Sequence, residues 1–97
     1  MPMLVMLEAK AKADAVEALR TLTTAGIPHT RAFAGCQGAT AYVSQDDPQT
    51  LLLVSQWASR DAYERYLAWR TEDGSLAQLM SLLDGPPIIR DFSPIAA

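Results

Sequence analysis

Apolar positions along the chain switch between an alternating and a helical rhythm. Near the start, "PMLVMLEA" places Met3, Val5, Leu7 and Ala9 on one side of an extended chain, and Leu4, Met6 and Glu8 on the other. Apolar side chains on both faces of a short run predict a strand with little exposure to water. In "KADAVEALRTLTTAG" the period changes: Val16, Leu19 and Leu22 recur at helical spacing, Gly26 supplies a stop and Pro28 opposes continuation. "IPHTRAFAG" is then a connection with room for one helical turn, and His29 sits in it.

Two further alternating runs, "CQGATAYVS" and "TLLLVSQW", flank the turn-forming "QDDPQ" and predict a hairpin. In the second run Leu51, Leu53, Ser55 and Trp57 share one face, and Leu52, Val54 and Gln56 the other. Ser59 suits the N-cap of a helix over "RDAYERYLAWR", with Asp61 in its first turn. "SLAQLMSLLDG" carries Leu76, Leu79, Met80 and Leu83 at i, i+3, i+4 and i+7, an amphipathic stripe ended by a glycine. "PPIIRDFSPI" closes with an edge-type strand, because prolines donate no ladder bonds. The order is β-α-β-β-α-(α)-β, and Asp14-Ala15-Val16-Glu17 echoes Asp61-Ala62-Tyr63-Glu64 at the two helix openings. This predicts an α+β, ferredoxin-like βαββαβ fold: a four-stranded antiparallel sheet with helices on one face.

Composition narrows the classes. The 97 residues make one domain over 1–97 with a small core, so a partner subunit would be no surprise. Net charge is -3 and Lys and Arg are scattered, which leaves no basic footprint for nucleic acid. The N-terminal apolar run is too short to span a bilayer and has no basic region before it, so no membrane anchor or signal peptide is expected. Cys36 is the only cysteine, an internal disulfide is impossible, and a reducing cytoplasm is the expected compartment. No metal-ligand cluster, phosphate-cradling Gly loop or Ser-His-Asp arrangement is visible.

Four of the seven aromatic residues (Trp57, Tyr63, Tyr66 and Trp69) fall within "LLLVSQWASRDAYERYLAWR", residues 51–70. They are either core packing or the lining of a pocket for a flat organic molecule. On the helix, Tyr63, Leu67 and Arg70 form one stripe, and Ala62, Tyr66 and Trp69 another. One stripe faces the sheet; the other faces solvent, a dimer contact or a pocket mouth. Trp69 and Arg70 are also residue types enriched at interfaces. Histidine ordinarily titrates near neutral, and His29 is the only one; its plainer reading is a solvated or capping residue. Cys36 reads as an apolar filler. Arg60, Asp61, Glu64 and Arg65 pair at i, i+4 on a solvated face.

The aliphatic strand ending in Gln56-Trp57 and running into "ASRDAYERYL", with Thr30-Arg31, Gly35-Cys36 and the Asp46-Asp47-Pro48 turn upstream, resembles the antibiotic biosynthesis monooxygenase family. The resemblance covers nearly the whole chain. It implies a dimeric α+β barrel, a homodimer through packed sheets with a pocket between each sheet and its own helices. It also implies kinship with cofactor-independent oxygenases of phenols, anthrones and quinols. The haem-degrading branch carries a His on the helix after the Trp and an Asn on the first strand; "RDAYERYLAWR" and "MLVMLEA" have neither. The quinone-forming branch pairs the strand Trp with an earlier Asn and a later Tyr. Trp57 and Tyr63 match that pattern, whereas Leu53 occupies the earlier position.

The expectation is a monooxygenase that uses no metal or other cofactor and oxidises a small hydrophobic aromatic phenol, anthrone or quinol. Trp57, Tyr66, Leu53 and Trp69 would bind the substrate, with His29, Tyr63 and Arg70 as the catalytic polar groups. The alternatives are a non-catalytic dimer that binds a small apolar molecule, and an isomerase on the same scaffold.

Overall fold

Strands that are apolar on both faces belong in the middle of a sheet, and the two such runs of this chain take the central places. A computed structural model describes residues 2–96. Its elements are β1 (Met3–Lys10), α1 (Val16–Ala32), β2 (Cys36–Val43), β3 (Thr50–Trp57), α2 (Arg60–Glu72), α3 (Ser75–Ser81) and β4 (Ile88–Phe92). The strands form one antiparallel sheet in the order β2-β3-β1-β4, the ferredoxin-like α+β fold.

The β1–β3 register sets Met3 opposite Trp57, Val5 opposite Ser55, Leu7 opposite Leu53 and Ala9 opposite Leu51. This face packs against the helices. Its core is divided into two groups. One contains Met3, Val5, Trp57, Ala62 and Tyr63; the other contains Ala9, Ala11, Leu19, Leu51 and Leu83. The opposite face carries Leu4, Met6, Leu52, Val54, Tyr42 and Phe92 by strand alternation. It is left open: Tyr42 is 53% exposed and Phe92 46%.

Local chemistry sets the turns. Asp47 accepts from the Gln49 N–H at 3.0 Å and the Thr50 hydroxyl at 2.8 Å, closing the β2–β3 hairpin. Those bonds, the Thr50 hydroxyl foremost, hold its carboxyl below the usual carboxylate range. Ser59 caps α2, its Oγ accepting from the Ala62 N–H at 3.2 Å. No helix among the described residues is long and apolar enough to cross a membrane.

The first helix departs from expectation. It passes Gly26 and Pro28 and ends at Ala32, so His29 and Arg31 lie in its last turn and not in a loop. Pro28 fits helical φ, but it forfeits its own N–H bond and crowds the carbonyl one turn back, so the helix carries a local cost there. Bonds from a distant helix hold the far end in place. Arg70 Nη2 donates to Gly26 O at 3.0 Å, and the Thr30 hydroxyl is 2.8 Å from that of Tyr66. A Cβ at Gly26 would lie 3.6 Å from Arg70 Nη2, an ordinary contact. Tertiary bonds thus override a local stop signal. At its other end α1 begins only at Val16, without a side-chain cap. Asp14 therefore precedes its helix whereas Asp61 lies inside α2.

Candidate active site

The two core groups do not meet. Between them the sheet and the helices part around a cavity of about 150 Å³. Its floor is Val5, Leu7, Ala39, Leu53 and Ser55 from the sheet. Its walls are Leu22, Thr23, Gly26, Ile27 and Thr30 of α1, then Tyr63, Tyr66, Leu67 and Arg70 of α2, with Ser75, Leu76 and Leu79 of α3. Small side chains at Gly26, Ala39 and Ser55 leave the space unfilled. An apolar cavity of that size accommodates about one benzene-sized ring.

Arg70 is the single charged side chain on these walls. Its Nε donates to Tyr66 Oη at 3.0 Å, and its Nη2 to Thr30 Oγ1 at 3.1 Å as well as to Gly26 O. Its Nη1 reaches Ser75 Oγ at 3.4 Å. The guanidinium carbon lies 4.7 Å from the Trp69 ring centre and 5.3 Å from that of Tyr66. Every one of these acceptors is neutral, and among the described residues no carboxylate forms an ion pair with Arg70. A cation fixed this way beside an apolar space favours an anionic ligand. Thr30 also donates to Gly26 O at 3.2 Å; with its proton so placed, Tyr66 donates to Thr30.

Burial, and then the neighbouring Asp91 carboxylate, push the Tyr63 phenol up to about 12. Tyr63 therefore keeps its proton through the neutral range and serves as a donor, not a base. No group of three or more His, Cys, Asp or Glu side chains comes together as a metal site among the described residues.

Leu53, Tyr63, Tyr66 and Arg70 meet at the cavity. The two stripes expected on α2 merge there, since Tyr63, Tyr66, Leu67 and Arg70 all face it at i, i+3, i+4 and i+7. Three other candidates lie elsewhere. Trp57 is fully buried behind the wall, its ring centre 4.8 Å from that of Tyr66 and 5.7 Å from that of Tyr63. Its Nε1 donates to Ser55 Oγ at 2.9 Å, so it orients wall residues without bordering the space. Trp69 stacks on Phe33, with ring centres 5.3 Å apart, and stays outside the lining. His29 is exposed on the last turn of α1 and does not border the cavity, because extending the helix carries it round to the solvent side.

Sequence reasoning missed Thr23, Ile27, Thr30, Ser55 and Leu76 as wall residues. The signal on α1 was present: Leu19, Thr23, Ile27 and Thr30 continue one helical stripe past Gly26. Reading Gly26 as a stop hid it.

Comparison with known proteins agrees with this architecture. The profile of the antibiotic biosynthesis monooxygenase family matches residues 2–73. No curated protein matches the chain in sequence. Among solved structures, Rv0793 from Mycobacterium tuberculosis is 30% identical with a TM-score of 0.90, over 100% of this chain and 98% of that one. Protein SO0527 from Shewanella oneidensis is 23% identical with a TM-score of 0.83, covering 94% of this chain and 88% of its own. SnoaB, a cofactor-independent oxygenase from Streptomyces nogalater, is 14% identical with a TM-score of 0.84, over 99% of this chain and 95% of that one. The last two speak to the fold alone. The family match runs from β1 to the end of α2 and the 30%-identical relative spans the entire chain, so this chain belongs to the antibiotic biosynthesis monooxygenase family.

Proposed function

We propose that the protein is a cofactor-independent monooxygenase that uses molecular oxygen to oxidise a small hydrophobic phenol or quinol held as its anion beside Arg70. The observation that carries this reading is an apolar cavity with one charged side chain, an arginine that forms no ion pair with a carboxylate among the described residues. Cavity size favours a single ring; a three-ring anthrone enters only if the helices part.

The walls exclude water, which strengthens every charge interaction inside. The Arg70 guanidinium, held in place by Tyr66 and Thr30, faces the substrate oxygen, and Tyr63 adds a donor that keeps its proton. Together they favour the ionised substrate and stabilise negative charge as it develops. Among the described residues no carboxylate or imidazole borders the cavity. Electrostatic stabilisation, not a side-chain base, is therefore the source of ionisation. The substrate anion then supplies its electrons to oxygen. A ring C–H becomes C=O, one oxygen atom enters the product and the other leaves as water, giving a quinone from a phenol.

A homodimer through the open sheet face is part of the proposal. The apolar strip of Leu4, Met6, Leu52, Val54, Tyr42 and Phe92 supports it, because a patch of that kind is costly to leave in water. The lack of a side-chain base on the walls favours a second reading, a non-catalytic module that binds the same kind of molecule.

Oxygen consumption on a panel of phenols, naphthols, quinols and anthrones, without added metal or flavin, separates the two. Uptake that Arg70→Met slows about 100-fold, in a variant that still melts cooperatively, supports the oxygenase. Arg70→Lys keeps the charge but loses the fork and falls between. Tryptophan quenching by the same compounds without uptake would establish the binding module instead.

A further inference from the structure

Arg70 borders the cavity with most of its hydrogen-bonding capacity already committed. A guanidinium carries five N–H donors along two edges, each able to grip a carboxylate through two parallel bonds. The side edge pairs Nε with Nη2, and the end edge pairs Nη2 with Nη1. In this protein Nε donates to Tyr66 Oη at 3.0 Å. Nη2 gives its two hydrogens to Thr30 Oγ1 at 3.1 Å and to Gly26 O at 3.0 Å. Neither edge therefore keeps two free donors. What remains is Nη1, whose two hydrogens reach only Ser75 Oγ among the described residues, at a long 3.4 Å.

Thr30 Oγ1 and Tyr66 Oη lie 2.8 Å apart, side by side along the side edge. Two oxygens so arranged occupy the seat of a bidentate carboxylate. Both hydroxyls are anchored. Thr30 is only 8% exposed and donates to Gly26 O at 3.2 Å. The Tyr66 ring centre lies 4.8 Å from that of Trp57 and 5.5 Å from that of Phe33. A carboxylate gripping that edge would have to break bonds that also tie α1 to α2. An anion with a single charged oxygen needs one donor, which leaves the Tyr66, Thr30 and Gly26 bonds intact. Because both hydroxyls are neutral, the charge of Arg70 stays available to it.

We propose that Thr30 and Tyr66 are positioning residues that set the class of ligand. By filling the side edge of Arg70 they make the cavity selective for anions with one charged oxygen, such as phenolates, over carboxylates of similar size. This rests on the cavity being the substrate site. A carboxylate that finds one donor keeps its second oxygen unpaired in an apolar space, and that cost is the source of the discrimination.

Calorimetric titration with 4-nitrophenol and 4-nitrobenzoate in mildly alkaline buffer, where both single-ring compounds are anions, tests it. The parent should bind 4-nitrophenol at least about tenfold more tightly. The double variant Thr30→Ala/Tyr66→Phe empties the side edge and should gain about tenfold in affinity for 4-nitrobenzoate. Either change alone leaves one donor of the pair engaged and should raise that affinity by no more than about twofold. Loosened packing would not produce this non-additivity. Equal or tighter binding of 4-nitrobenzoate by the parent overturns the proposal, and that measurement needs no variant. A double variant that melts cooperatively yet binds 4-nitrobenzoate no better than the parent overturns it as well. In either case 4-nitrophenol binding that Arg70→Met weakens leaves the substrate site standing. Binding of neither ligand by the parent overturns both readings.

Discussion

Arg70 is the residue on which the site and the fold both depend. The same guanidinium that faces the cavity also holds Gly26 and Thr30 of α1, which explains why a helix continues through a glycine and a proline. Nothing local to residues 26–28 reveals this, because the partner lies 44 positions away. Leu53, Tyr63, Tyr66 and Arg70 all stand out in the sequence. The helical period, however, assigns Tyr66 to a different stripe from Tyr63 and Arg70, and only the packing of α2 turns all three to the cavity. Trp57 and Trp69 lie behind the cavity lining, because bulk and flatness suit a second layer as well as a wall. Tyr63 yields a prediction at this scale. Burial raises its folded pKa from 10.0 to about 12. The folded state therefore holds that proton more tightly than the unfolded chain does. The resulting stability is intact below pH 10 and is lost as pH rises from 10 towards 12. Denaturant titrations across that range should show a loss of roughly 2 kcal/mol that Tyr63→Phe abolishes.

Among the elements, the strands, the hairpin, α2 and α3 follow from period and turn chemistry, with ends close to those expected. Only α1 was cut short. The passage from α1 to β2 shows a second long-range constraint. Gly35 has φ +92°, and a Cβ there would lie 2.5 Å from the Ala62 Cβ. The start of α2 is packed directly on this loop, and Gly35 O also accepts from the Ala58 N–H at 2.8 Å. An alanine would face an unfavourable backbone conformation and push against the first turn of the helix that carries Tyr63 and Tyr66. Gly35→Ala should cost about 3 kcal/mol in a urea titration. Gly74→Ala, also at positive φ (+82°) but with open space around it, should cost about 1 kcal/mol.

At the level of the whole molecule, one face of the sheet is covered by helices and the other is left open. Leu52 sits on the open face of β3, opposite Tyr42 on β2 and Glu8 on β1. A carboxylate there would be desolvated by any sheet packed on top. Light scattering should find a dimer for the parent, and for Leu52→Asp a monomer across the micromolar range, with an affinity at least about 100-fold weaker. The covered face has a different consequence. Leu22, Ile27, Leu53 and Leu76 border the cavity yet belong to neither core group. A change of size at any of them redraws the space while both groups stay packed. What the cavity admits can therefore change without loss of the fold, because the fold rests on one set of side chains and the lining on another.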